Sequence, residues 1–76
     1  MTGPYVPPLP APGTRIALVS MPGDPDPVKP GTKGTVVRIA HHSAGTSIEV
    51  DWDDGTALGL VVGTDTWRVL FAGDEA

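Results

Sequence analysis

Apolar and polar residues alternate most cleanly in "SIEVDW", residues 47–52, where Ile48, Val50 and Trp52 share one face and Glu49 and Asp51 the other. That period of two is the signature of a half-buried strand. Four other runs read as strands. "TRIALVS" (14–20) sets Ile16 and Leu18 against Ala17 and Val19, and "TVVRIA" (35–40) is rich in the β-branched residues that suit a pleated surface. "TALGLVV" (56–62) brings Leu58, Leu60 and Val62 together, and "WRVLF" (67–71) closes the series. No window carries a helical period with caps.

The breakers between these runs are as informative as the runs. "MPGDPDPVKPGTKG" interleaves Pro22, Pro25, Pro27 and Pro30 with Gly23, Gly31 and Gly34, so neither helix nor ladder continues and a long stiff loop is expected. Pro27 and Pro30 stiffen its exit, and Gly31 and Gly34 let the backbone turn before Thr35 begins to pair. "HHSAGT" reads as a polar break, "DDG" as a hairpin turn built on Asp54 and Gly55, and "GTDT" as a tight turn of the kind a single 3₁₀ turn makes. Five of the nine prolines fall in the first twelve residues, which predicts an extended polyproline arm.

Five short strands in so small a chain bury their apolar faces best as a strongly bent sheet closed into a barrel. The long loop after the first strand and the short turn before the last match the layout of an SH3-like barrel. The expected architecture is therefore all-β, a small five-stranded SH3-like barrel over residues 13–71, with an extended proline-rich arm at 1–12 and a frayed tail at 72–76.

Composition narrows what such a barrel does. A chain of 76 residues buries only about 60% of its unfolded surface. It has no cysteine, so no disulfide or thiolate zinc site supplements its core. Five basic and nine acidic residues give a net charge of −4, which disfavours nucleic acid as a partner. No apolar run approaches the ~18 residues that span a bilayer, and "MTGPYVPPLP" lacks a signal-peptide pattern, so no membrane association and a cytoplasmic location are expected.

"GTRIALVSMPGDPDPVKPGTKGTVVRI" and "VDWDDGTALGLVVGTDTWRVL", with their spacing, resemble a family of small proteins of actinobacteria, firmicutes and their phages, domain of unknown function 4314. The similarity covers roughly residues 13–70, and its most specific pieces are Pro30 to Val36 and Trp52 to Gly55. It implies a compact SH3-like barrel, often carried by mobile elements, and no catalytic or ligand residue.

Side chains that bear chemistry are few. Asp24, Asp26, Glu49, Asp51, Asp53 and Asp54 are abundant oxygens, but their spacing does not fit a calcium loop, and they read as solvated acidic turns. Adjacent His41 and His42 point to opposite faces of a strand and do not chelate one ion, so no metal is expected. Ser20, Ser43 and Ser47 lack a nucleophile motif, and "GTKGT" precedes a strand where a phosphate loop would precede a helix. No catalytic residue and no cofactor follow.

Trp52, on a face with Ile48 and Val50, is assigned to the core. Trp67 is placed at the mouth of the barrel, where it would stack on a proline-rich peptide or a base with Arg68 or Arg38 nearby. Candidate binding residues are thus Trp67, Arg68, Lys33, Arg38 and Tyr5, and Gly31, Gly34, Asp54 and Gly55 are structural turn positions. The expected function is a non-enzymatic binding module of a phage or actinobacterial mobile element, with a protein partner or a small anionic ligand. Two alternatives stand beside it: a homo-oligomeric phage protein that sequesters a host nucleotide signal, with Lys33, Arg38 and Arg68 on phosphates, and a structural virion or assembly component.

Overall fold

The computed structural model of the protein describes residues 9–71. Within them the chain is all-β, with strands β1 (Arg15–Ser20), β2 (Lys33–His42), β3 (Gly45–Trp52), β4 (Leu60–Val61) and β5 (Thr66–Val69). They form one antiparallel sheet in the order β4-β3-β2-β1-β5, the strand order of an SH3-like fold. The sheet bends over its core but is not closed, because β4 and β5 do not pair and only a bridge between Val62 and Asp65 joins the ends of that turn. Among the described residues there is no helix, and hence none long and apolar enough to cross a membrane. Tyr5 and most of the proline arm, and the tail after Phe71, lie outside the described residues.

The core gathers one face of each strand: Ile16 and Leu18 from β1, Val36 from β2, Ile48, Val50 and Trp52 from β3 and Leu60 from β4. Met21 and Val28 join it from the long first loop, while Leu9, Ile39, Leu58, Val62 and Trp67 pack at its margin. The described part of the arm, residues 9–12, docks on the sheet. Leu9 lies against the core, Pro10 is buried, and the Gly13 N–H donates to the Val36 carbonyl at 2.7 Å.

β2 is longer than the residue pattern predicts, because the two histidines belong to it. The break is only the Ser43–Ala44 turn, and His41 and His42 pair with Thr46 and Gly45. Within β2 the register slips between Val36 and Arg38. Val37 is the extra residue, so Val36 points inward, Val37 and Arg38 both point outward, and Ile39 returns to the core face opposite Ile48.

The fourth strand is shorter than expected, two residues where the pattern covers seven. Residues 55–59 run beside β3 without joining its ladder. The Leu58 carbonyl accepts the Trp52 indole N–H at 2.6 Å, and Gly59 passes so close to the Ile48 carbonyl that a Cβ there would sit 2.9 Å from its oxygen. The first loop ends in a type II arrangement: the Thr32 N–H donates to the Lys29 carbonyl at 3.1 Å, with Pro30 at the second position and Gly31 at φ 91° at the third.

Candidate binding groove

Period-two alternation, reset by the bulge at Val37, puts Arg38, Ala40 and His42 of β2 and Ser47, Glu49 and Asp51 of β3 on the outer face of that hairpin. Together with residues 55–59 they line an open groove of about 580 Å³. One wall is this strand face. The other is the irregular segment, which Trp52 and Leu58 tether to the core from below.

The turn that launches the second wall leads into the irregular residues 55–59 where the pattern predicts a hairpin strand. The Gly55 N–H donates to the Trp52 carbonyl at 3.0 Å, Gly55 takes φ 84°, and the Asp54 carboxylate accepts the Thr56 N–H at 2.9 Å. The hydrogen bonds from Thr56 hold the Asp54 carboxyl below the ordinary aspartate range. Beside it, Arg15 grips Asp53 with both guanidinium nitrogens, Nη1 to Oδ1 at 2.8 Å and Nη2 to Oδ2 at 2.7 Å, and Nη1 also donates to the Thr35 hydroxyl at 3.1 Å. The Arg15 hydrogen bond is the main cause of a lowered Asp53 pKa, with the charges of Arg15 and Lys33 adding to it.

Within the groove Arg38 Nε meets Glu49 Oε2 at 2.7 Å across the two strands. Asp51 lies opposite Thr35. At the hairpin end His42 Nε2 is 3.0 Å from the Ser47 hydroxyl, while on the other face His41 Nδ1 is 3.2 Å from that of Thr46. The same contact on both faces marks these as cross-strand locks on the tip of the hairpin, so the Ser47–His42 pair does not stand out as a nucleophile and its base. Among the described residues no three histidine or carboxylate side chains gather into a cation site. Asp24 and Asp26 form a local turn instead, the Asp26 N–H donating to Asp24 Oδ1 at 2.9 Å.

The candidate binding residues do not converge. Trp67 is half-buried against the core, opposite Leu18. Arg68 and Lys33 point the other way and flank Ala17 from β5 and β2, about 10 Å apart across two strand spacings. Arg38 stands in the groove, held by Glu49. Tyr5 is outside the described residues. The sequence reading missed the groove because its walls depend on the bulge at Val37 and on residues 55–59 leaving the ladder. The bulge left one trace: "VVRI" has two outward residues between two inward ones.

Residues 10–70 match the model of the family described as a domain of unknown function, DUF4314. No curated protein and no solved structure matches the chain.

Proposed function

We propose that this chain, which belongs to the DUF4314 family of unknown function, is a non-catalytic binding module that takes an extended segment of a protein partner into the groove between the β2–β3 face and residues 55–59. The observation that carries the reading is the groove itself, whose volume of about 580 Å³ lies within the range of ligand sites, roughly 300–1,000 Å³. It is open along its length, which suits a chain laid into it better than a small molecule enclosed by it. Ala57 and Gly59 line the groove and stand outside the β3–β4 ladder, so that ladder does not occupy their backbone groups. Ala40 leaves room at the floor between the Arg38–Glu49 pair and His42. With Arg38 matched by Glu49, the charge of Asp51 is left over in a chain of net charge −4, which favours a segment carrying lysine or arginine.

The test is a peptide-display selection on immobilised protein, repeated on two variants. Ala40→Arg fills the groove from an outward position, and Arg68→Glu alters β5, at the far edge of the sheet. Peptides that enrich on the native protein are expected to be basic, to lose binding to Ala40→Arg and to keep it with Arg68→Glu. Enrichment that survives Ala40→Arg but not Arg68→Glu would move the site to the β1–β5 face.

A further inference from the structure

We infer that the outer edge of β5 pairs with the same edge of a second copy, giving a weak antiparallel dimer with its two-fold axis at Val69. This surface is separate from the groove and does not depend on that reading.

The ladder geometry says which backbone groups face outward. The Leu70 N–H donates to the Arg15 carbonyl at 2.9 Å, so residue 70 and, by the alternation of an antiparallel ladder, Arg68 turn their backbone groups toward β1. Trp67 and Val69 then occupy the alternate pairs opposite Leu18 and Ile16, and their own N–H and C=O groups point away from β1. Leu18 agrees from the other side, since its N–H and carbonyl are both engaged with the β2 side at Thr32 and Gly31.

The side chains tell the same story. Val69 shares a face with Ile16, yet Ile16 is fully buried and Val69 is 40% exposed, since among the described residues no strand lies beyond β5. Two residues on, Phe71 is 72% exposed. Protected edges are short or carry lysine, proline or a bulge. The other edge, β4, is only two residues long; β5 has four, with no lysine or proline, and its one charge, Arg68, lies on the face away from Trp67 and Val69.

A second copy fits this edge in one register particularly well. With Val69 opposite its own counterpart, Trp67 faces Phe71 of the other copy and Arg68 faces Leu70, so aromatic meets aromatic and the two arginines are not opposed. Centring the axis on Arg68 would set like charges directly against each other. The apolar patch amounts to a few hundred Å² per copy, short of the ~800 Å² per partner of a standard stable interface. The dimer is therefore concentration-dependent.

Sedimentation equilibrium of the full chain from about 10 µM to about 1 mM tests this, the range in which so small an interface dissociates. The expected result is a mass rising from one copy toward two. Val69→Pro removes only an outward N–H, and Val69→Lys places a charge at the axis; each is expected to hold the chain monomeric at the top of the range. A circular dichroism melt identifies which variants remain folded. A native chain that stays monomeric throughout overturns the inference, including the case in which the edge serves an extended peptide instead. So does a dimer that persists in whichever of the two variants keeps its fold.

Discussion

The indole of Trp52 rests directly on Gly34: a Cβ at Gly34 would lie 2.8 Å from Trp52 Cε3 and 2.7 Å from Val50 Cγ1. The two residues are cross-strand partners, and Gly34 also faces Ile16 of β1, so the glycine leaves the space into which the largest core side chain folds. Gly34→Ala is expected to destabilise by about 1–3 kcal/mol, because both neighbours belong to a packed core and must shift together. For a chain of this size each kcal/mol lowers Tm by roughly 4–8 °C. Gly31→Ala meets no side chain, only the strain of φ 91°, and should cost less, about 1 kcal/mol. Thermal melts of the two variants rank them; Gly34→Ala melting with the native protein would mean that the ring is not wedged there.

Trp52 also holds one wall of the groove, through its 2.6 Å bond to the Leu58 carbonyl. Trp52→Phe leaves that carbonyl without its donor and shrinks the ring, a combined loss of roughly 2–4 kcal/mol. The wall should loosen before the sheet does. Amide exchange is expected to accelerate from Thr56 to Gly59 while Ile48 and Val50 keep their protection, and basic peptides selected on the native groove should bind less tightly. Uniform acceleration across both segments would show that Trp52 supports the core alone.

How much of this was legible in the residues depends on which interactions are local. Ile48, Val50 and Trp52 announced their face through simple alternation, and Pro30 with Gly31 announced a turn through the backbone angles each residue favours. The inclusion of His41 and His42 in β2 was hidden, because histidines beside a serine and a glycine resemble a loop; pairing with Thr46 and Gly45, and side-chain bonds to Thr46 and Ser47, draw them into the ladder. The shortness of β4 was hidden too. Leu58, Leu60 and Val62 alternate well, but the Trp52 indole takes the carbonyl of Leu58, a competition between residues six apart that no periodicity records. The site suffered most. Trp67, Arg68 and Arg38 look like neighbours in a barrel of this size, yet successive residues of a strand face opposite ways and the bulge at Val37 turns Arg38 into the groove.

Acid sensitivity follows from Asp53 and Asp54. Hydrogen bonding to Arg15 lowers the folded-state pKa of Asp53, and hydrogen bonding to Thr56 lowers that of Asp54. A depressed carboxylate pKa contributes stability that is present above the unfolded-state value and lost as pH falls through the folded-state value. The loss therefore begins near pH 4 and grows below it. Asp53→Asn is expected to flatten the fall of Tm across that window while leaving the share due to Asp54. Both groups are exposed, so about 1 M salt should shrink the difference between the two proteins. Parallel Tm curves below pH about 4 would show that the Arg15 clamp does not favour the folded state.

Asp65 makes the sharpest local prediction. It is the buried charged residue of the described chain, 8% exposed, and it closes the β4–β5 turn twice: its carboxylate accepts the Val61 N–H at 2.8 Å, and its own N–H donates to the Val61 carbonyl at 2.9 Å. Asp65→Ala keeps the backbone bond but strands the Val61 N–H, at a cost of about 1–3 kcal/mol. Asp65→Asn retains an acceptor oxygen and should recover most of that loss. The turn sits between the short β4 and the edge strand β5, so the alanine variant should also increase amide exchange at Thr66 and Trp67 ahead of β1. If asparagine proves as destabilising as alanine, the negative charge itself stabilises the turn. If neither variant shifts Tm, the β4–β5 connection is held by Leu60, Val62 and Trp67 on the core alone.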